Sequence, residues 1–209
     1  MHFFLSHWAW LVMALPLFCA CSSHPAKTIE NLKNMVASEQ NAAVRYRAFS
    51  IQAREEGFHN IANLLVAIAR SEEIHAEYQR KVLAEYGEDV SMPVDSVPEV
   101  GSTLENLKNS LRVEEYESQT VFPIFMQVAA NERMSEAEQF FQWVAAVANR
   151  HAEYCRKALG KLEKEGDDRN VVNSWSVCPR CGCPYTTVSL DEACDVCQME
   201  ASAFFLFQQ

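Results

Sequence analysis

Apolar residues recur every three or four positions along four long stretches of the chain, with polar residues between them. This spacing is typical of an α-helix that buries one face. Glycines follow the first two stretches, at Gly57 and Gly87, and end the pattern there. The pattern therefore predicts four amphipathic helices, whose apolar stripes run over residues 32–53, 61–82, 104–125 and 141–162.

Three local signals refine the second half of this pattern. A polar connection with two prolines, residues 87–102, separates the second helix from the third. Pro123 lies inside the third stretch and predicts a kink, because proline cannot donate a backbone hydrogen bond. Ser135 and Glu138 have the spacing of a capping box and predict the start of the fourth helix.

The two halves of the chain repeat each other. Residues 71–83, SEEIHAEYQRKVL, match residues 147–159, VANRHAEYCRKAL, and residues 28–42 match residues 103–117. The offset between the copies stays at about 75 residues. Two related helical hairpins predict an all-α fold, a duplicated four-helix bundle with a long crossover between its halves.

Acidic residues and histidines occupy several positions on the apolar stripes. An unpaired buried carboxylate costs several kcal/mol or becomes neutral, so such groups persist where they are paired or bind metal. A glutamate from each of two helices and Glu-x-x-His from the others is the di-iron pattern of helical bundles. Oxygen and imidazole ligands suit iron or manganese. The stripe residues concerned are Glu39, Glu72, His75, Glu114 and His151, with Glu117 on nearly the same face as Glu114.

Five of the eight cysteines lie in the last 35 residues. Two Cys-x-x-Cys pairs, separated by twelve residues, predict a tetrahedral four-thiolate site for one iron, with structural zinc as the alternative. Disulfides are a further alternative if the chain is exported. Cys183 is expected to pack beside the site. The predicted ligands are Cys178, Cys181, Cys194 and Cys197.

The first residues predict a targeting segment rather than part of the folded domain. Residues 3–21 are almost wholly apolar and end in a pattern that resembles a bacterial lipoprotein signal, with Cys21 as the candidate for lipidation. This predicts export or attachment to a membrane through the N-terminus. An uncleaved anchor is one alternative, and a mis-assigned start, which would leave the protein cytoplasmic, is another. The net charge of -10 and the lack of a basic run argue against nucleic acid as a partner.

The motifs ASEQNAAxRY, ARSEEIHAE and EEYESQTxFP, followed by the cysteine tail, resemble the rubrerythrin family over residues 27–207. The resemblance implies a ferritin-like bundle with two irons and a small rubredoxin-like domain with one. It also implies a homodimeric non-haem peroxidase that reduces hydrogen peroxide to water, in which electrons enter through the tail. The stripe residues above then become the di-iron ligands, with His75 and Glu117 exchanging at one iron and Tyr46 in the second sphere.

Two positions depart from the family pattern. Phe122 stands where the family has tyrosine, and Ala148 stands where it has a ligand glutamate. The four remaining acids still balance two Fe(II) ions, which predicts a dinuclear site with an open position beside Ala148. The alternative is a single metal or none.

Three functions are therefore open at this point. The first is a peroxide-scavenging oxidoreductase supplied by an unidentified donor protein or reductase. The second is a degenerate rubrerythrin that only binds metal or carries electrons, and the third is a ferritin-like iron-oxidising or storage protein. The corresponding division of the chain is 1–24 signal or anchor, 25–165 bundle, 166–174 linker and 175–209 rubredoxin-like domain.

Overall fold

The computed structural model describes residues 25–90, 99–187 and 191–207. The signal-like segment, with Cys21, lies outside these residues, as does most of the connection between the two halves. Within the described part of the chain, none of the helices is both long and apolar enough to cross a membrane. The helices are α1 (Ala26–Glu55), α2 (His59–Glu85), α3 (Thr103–Tyr116), α4 (Phe122–Asn131) and α5 (Ser135–Glu165), with a π-helical segment (Glu117–Val121) between α3 and α4.

The predicted four-helix bundle is confirmed. Helix α1 packs along α2, and α5 packs along α3 and α4, so the two repeated halves each form one hairpin. The third predicted helix corresponds to α3, the π-helical segment and α4 together. Its interruption lies upstream of Pro123: the backbone N–H of Phe122 donates to the Glu117 carbonyl, which is one residue further back than in an α-helix.

The predicted capping box at Ser135 and Glu138 is wrong. Helix α5 begins at Ser135 itself, and Met134 occupies the N-cap without a side-chain hydrogen bond. The serine therefore lies inside the first turn, where it cannot cap. A capping box is found at the start of α3, where Ser102 precedes the helix and exchanges hydrogen bonds with Glu105.

Two apolar clusters fill the bundle, and the predicted metal ligands lie between them. On α1, Val36 belongs to one cluster and Ala42 to the other, with Glu39 in between. On α5, Ala148 and Cys155 flank His151 in the same way. The interior therefore has a band of ionisable groups across its middle, closed off by hydrocarbon at both ends.

A small three-stranded sheet follows the bundle. Strand β1 (Trp175–Val177) is central and pairs antiparallel with β2 (Pro184–Thr186) and β3 (Phe205–Phe207). Trp175 is buried and meets the ring of Tyr154 on α5 edge to face, at 4.7 Å between centroids. The sheet is thereby packed against the side of the bundle.

The linker before β1 is bound to the start of α2. The buried side chain of Asp168 accepts from the backbone N–H groups of Asn60 and Ile61, at 2.6 and 3.0 Å. These are donors that the first turn of a helix cannot satisfy internally. The Asn63 side chain then donates to the Asn173 carbonyl at 3.0 Å. Residues 166–174 therefore follow one defined path along α2.

We expect Asp168→Ala to lower the free energy of unfolding by about 1 kcal/mol, because it removes the acceptor that caps α2. Denaturant unfolding would measure this, and hydrogen exchange at Asn60 and Ile61 should rise with it. Asp167→Ala is the matched control, since Asp167 pairs with Arg169 and not with α2. Equal losses in the two variants would contradict the capping role.

Candidate metal centres

Glu72 lies at the centre of the ionisable band and faces both histidines. Its Oε2 is 3.1 Å from His75 Nδ1, and its Oε1 is 3.3 Å from His151 Nδ1. Helix α2 supplies Glu72 and His75 three residues apart, on one face. One carboxylate therefore stands between two imidazoles, each of which faces a different oxygen.

The other two buried glutamates complete the two halves of the site. Glu39 Oε2 lies 3.9 Å from His75 Nδ1, and Glu114 Oε2 lies 3.3 Å from His151 Nδ1. Tyr46 donates its hydroxyl hydrogen to Glu114 Oε1 at 2.5 Å. The structure thus brings five of the predicted ligands into two overlapping groups that share Glu72, and it places Tyr46 behind one of them.

The proton on the His75 ring can be assigned from its contacts. Nε2 lies 3.0 Å from the backbone carbonyl of Cys181, and a carbonyl only accepts hydrogen bonds. Nε2 therefore carries a hydrogen, and in a neutral ring Nδ1 presents its lone pair toward Glu72 and Glu39. A lone pair aimed at carboxylate oxygens leaves the interaction without a donor, and a cation between them would satisfy both.

Glu117 and Ala148 lie at the part of the site where the two repeats differ. Glu117 is half-buried at the first position of the π-helical segment, and its carboxylate acts electrostatically on Glu39 without joining either close group. Ala148 is buried in the apolar cluster that also contains Phe122 and Val144. The position that corresponds to Glu72 in the second repeat is thus occupied by apolar packing.

The close packing of several carboxylates shifts the pKa values of the acids in this band. Burial, followed by the charge of Glu72, raises the pKa of Glu39 well above its usual range. Burial and then repulsion by Glu114 raise the pKa of Glu117 to about 8. Burial would also raise the pKa of Glu72, but its hydrogen bonds, that with His151 first, outweigh burial and hold that pKa well below the usual range.

The same negative charges also favour the protonated form of His151. Burial disfavours its charged form, but Glu114, helped by Glu72, outweighs burial and raises the pKa of His151 to about 9. Without a cation, the site therefore compensates its carboxylates with protons on Glu39, Glu117 and His151. Glu39 Oε1 also has no hydrogen-bond partner in the described part of the chain. This donor set, acidic and incompletely paired, fits a pair of divalent iron ions.

The four predicted cysteine ligands converge in the C-terminal domain. All are buried, and the contacts Cys178–Cys197 and Cys181–Cys194 are each 3.5 Å between sulfur atoms. None of the cysteines in the described ranges forms a disulfide. The cluster fits one tetrahedral ion, and the four-thiolate set suits iron. Cys183 is also buried beside it and lies outside the four-sulfur group.

The structure brings the two sites together, which the sequence did not indicate. The carbonyl that contacts His75 belongs to Cys181, in the loop that leads from the first Cys-x-x-Cys pair to β2. His75 therefore contacts both candidate centres. On α5, Arg150 forms an ion pair with Asp195 at 2.7 Å and lies over the ring of Tyr185, which donates to Cys194 Sγ at 3.2 Å. Arg150 lies inside the repeat and Asp195 between two of the predicted cysteine ligands, but at positions where neither motif specifies the residue type.

Comparisons with known proteins agree with this geometry. A sequence model described as Rubrerythrin matches residues 30–167. Nigerythrin of Nitratidesulfovibrio vulgaris is 32% identical over 171 residues, 81% of each protein. The rubrerythrin of Clostridium perfringens is 31% identical over 188 residues, which cover 88% of this chain and 95% of that protein.

Solved structures place the fold in the same group. The fully reduced, all-ferrous state of nigerythrin superposes with a TM-score of 0.77 at 30% identity, covering 86% of both chains. An open-pore ferritin of Archaeoglobus fulgidus superposes at 0.61 with 20% identity, which shows the ferritin-like fold alone. The chain therefore belongs to the rubrerythrin family: a ferritin-like bundle whose buried acids and histidines fit a di-iron site, followed by a four-cysteine cluster that fits a rubredoxin-like domain.

Proposed function

We propose that this protein reduces hydrogen peroxide to water, using electrons that enter through the four-cysteine site. The family is known for oxidoreductase activity, and two metal centres in contact within one chain support this choice. The reaction consumes one peroxide, two electrons and two protons and yields two water molecules. The electrons come from an external donor protein or reductase.

The observation that carries the proposal is the position of Glu72 between the two histidines. We assign Glu72 as the shared ligand of two iron ions. Glu39 and His75 complete one side, and Glu114 and His151 the other. Glu117 is a further ligand on the open edge. When bound, the paired irons supply the two electrons that cleave the O–O bond of peroxide.

Tyr46 holds a proton beside this site. Burial, and then the negative charge of Glu114, raise the pKa of Tyr46 well above its usual range, so the phenol stays protonated. Its hydrogen bond fixes Glu114 Oε1 and leaves Oε2 toward His151. The apolar clusters on both sides exclude water from the band of acids. Tyr46 thereby keeps the Glu114 carboxylate oriented in an apolar environment, where electrostatic interactions with its charge are strong.

His75 provides the connection between the two centres. Its Nδ1 faces the carboxylates, and its Nε2–H donates to the Cys181 carbonyl. The path from the cysteine ligand to the bundle therefore consists of one peptide group, one hydrogen bond and one imidazole ring. We assign His75 as the residue through which the cysteine site supplies electrons.

Ala148 favours a second candidate function. Because this position carries no carboxylate, the side of the site that His151 serves has one ligand fewer than the repeat would provide. A bundle that holds one metal or none would leave an electron-transfer or metal-binding protein. Metal content separates the two: about three irons per chain support the peroxidase, and a single metal held by the cysteines supports the alternative.

The proposal also covers the oligomeric state of the protein and its location in the cell. We propose a homodimer by likeness to the family. We further propose that residues 1–24 export the chain or attach it to a membrane, with Cys21 as the lipidated residue, which would place the electron donor outside the cytoplasm. Labelling with a radioactive fatty acid, lost on Cys21→Ser, would support the lipidation. Label that persists in this variant would contradict it.

Replacing Glu72 should remove the metal ions of the bundle but leave the metal ion of the four-cysteine site. We expect Glu72→Gln to lose about two irons per chain, because it removes the carboxylate shared by both metal positions. The cysteine-bound iron should remain, with an unchanged visible spectrum. Elemental analysis of anaerobically purified protein measures both. Glu73→Gln is the matched control, since Glu73 forms surface ion pairs with Arg47 and Arg70.

Peroxide turnover tests the reaction itself. The reduced protein should be reoxidised by hydrogen peroxide with one peroxide consumed per two electrons, and Glu72→Gln should slow this by on the order of a hundredfold or more. Stopped-flow absorbance of the cysteine-bound iron follows the reaction. Equal rates in Glu72→Gln and the unaltered protein would exclude the bundle as the site of reduction.

The metal-free bundle should become less stable as pH rises. The pKa of Glu117 is 4.5 in the unfolded chain and about 8 in the folded protein, so the folded state binds this proton more tightly. The stability that this difference provides is lost as the pH rises between these two values. His151, raised from 6.5 to about 9, stabilises the fold below pH 6.5 and loses that contribution through pH 9. Denaturant unfolding after chelation should show a decline from pH 5 to 9. Iron should reverse or flatten it, and a rise with pH in the metal-free protein would contradict this account.

Restoring the missing carboxylate tests whether its loss is a defect. We expect Ala148→Glu to increase both the iron retained at the His151 side and the peroxide turnover, because it adds a ligand where the repeat places one. Iron content after dialysis against a weak chelator and stopped-flow rates would measure this. Ala145→Glu, one turn earlier on α5 at a half-buried position, controls for an added charge. An unchanged or lower rate in Ala148→Glu would contradict the idea that the missing carboxylate is a defect.

A further inference from the structure

Gln79 is a fully buried amide on α2, one turn after His75 and on the same helix face. Neither the amide nitrogen nor the amide oxygen of Gln79 has a hydrogen-bond partner in the part of the chain that the structure describes. An amide carries two N–H donors and a carbonyl acceptor, and burying these groups unpaired costs free energy. Such a side chain is retained where a bound molecule can pair with it.

The amide of Gln79 lies between the ionisable band and one of the two apolar clusters. Val82 follows Gln79 by three residues on α2 and belongs to the cluster that contains Phe122 and Ala148. A long side chain in a helix points back toward the N-terminus of that helix, so the amide extends toward His75. It is thereby placed at the side of the site where the second repeat has an alanine in place of a carboxylate.

The two halves of the site also differ in how their outer carboxylates are held. Tyr46 follows Glu39 by seven residues and donates to Glu114 of the other half. Phe122 follows Glu114 by eight residues, and the π-helical segment between them takes up the extra residue. Phe122 therefore occupies the position that corresponds to Tyr46, in the cluster that contains Val36, but it has no hydroxyl. Among the described residues, Glu39 Oε1 accordingly has no hydrogen-bond partner.

Glu39 Oε1 and the Gln79 amide offer complementary hydrogen bonds to a small molecule. An ionised carboxylate oxygen only accepts hydrogen bonds, whereas an amide nitrogen only donates them. Because these two groups do not bond each other, a molecule that serves both must donate to the first and accept from the second. Water and hydrogen peroxide each have O–H groups and lone pairs, so they meet this requirement. Dioxygen has no hydrogen to donate and does not.

We propose that Gln79 is a specificity-determining residue that, together with Glu39 Oε1, binds a small hydroxylic molecule, water or hydrogen peroxide, beside His75 where Ala148 provides no carboxylate. The amide is neutral, so it adds a polar contact without changing the balance between four acids and two Fe(II) ions. The binding itself rests on the burial and the chemistry of these two side chains. The selection of peroxide as the molecule that reacts rests on the function proposed above.

Gln79→Met in the iron-loaded full chain is the first test, because methionine removes the amide at nearly constant volume. Azide is the probe, since it accepts hydrogen bonds and gives a visible absorption band on oxidised iron. We expect unchanged iron content and an azide affinity, measured by absorbance titration, that falls by about tenfold. Gln139→Met is the matched control, because Gln139 is exposed and its amide donates to Gln142 on the same helix.

The choice between oxidants tests the specificity. The rate of reoxidation of the reduced protein is measured by stopped-flow absorbance with hydrogen peroxide and, separately, with dioxygen. Gln79→Met should lower the ratio of the peroxide rate to the dioxygen rate by about tenfold, because only peroxide can use both groups. A ratio equal to that of the unaltered protein would overturn the assignment of Gln79 as a specificity-determining residue.

The metal-free protein provides an independent test of the buried amide. After chelation, Gln79→Met should leave the urea midpoint of unfolding unchanged or raise it, because no hydrogen bond within the chain is lost. Gln139→Met should leave it unchanged. A midpoint lowered by Gln79→Met alone would show that the amide pairs with another part of the protein, and would overturn the proposal.

The outcomes separate this proposal from the proposed function. Equal azide affinity in Gln79→Met and Gln139→Met would overturn the proposal, and so would iron lost from the bundle of Gln79→Met alone. Weaker azide binding by Gln79→Met, in a protein whose unaltered form is not reoxidised by peroxide, would support the binding of a small molecule and reject the peroxidase. Rapid peroxide reduction with equal azide affinities would do the reverse.

Discussion

The structure depends on keeping several ionisable groups inside an apolar bundle. Glu39, Glu72, Glu114 and two histidines are each almost fully buried, and hydrocarbon closes both ends of the band that they form. Charges in such a place are tolerated only when opposite charge or protons compensate them. In the protein alone, the raised pKa values of Glu39, Glu117 and His151 favour protons as this compensation. Divalent metal provides the same compensation while leaving the carboxylates ionised, which explains why a site with this cost is built into the core.

The duplication accounts for most of the site and also for its asymmetry. Each half contributes one hairpin, so one copy of the repeat places His75 and the other places His151 near the shared Glu72. The copies then diverge at Ala148 and at the half-buried Glu117. One side of the site is thereby enclosed by acidic and imidazole side chains, and the other is bordered by apolar packing and a π-helical segment. Such segments widen a helix locally and are frequent at functional sites.

The C-terminal domain packs against the bundle and contacts the band of ionisable groups. Its linker caps α2, its sheet packs on α5, and its cysteine loop contacts His75 of the bundle. The four-cysteine cluster therefore lies next to the acids although more than a hundred residues separate Cys181 from His75 in the chain. A histidine with one nitrogen toward each centre joins them in a geometry that neither domain could produce alone.

The sequence by itself determined the helical bundle, its duplication, the acids and histidines of the band and the four cysteines. These follow from periodicity and spacing, which extend over one or two helical turns and can therefore be recognised in short stretches of sequence. It also indicated the gap at Ala148, since the two copies can be compared position by position. The N-cap of α5 was assigned wrongly, because two Ser-x-x-Glu patterns look alike until the backbone shows which serine precedes its helix. Only the tertiary structure decided that Asp168 caps a distant helix and that His75 spans both centres. These contacts join residues far apart in the chain, and their formation depends on how whole elements pack, which no local pattern specifies.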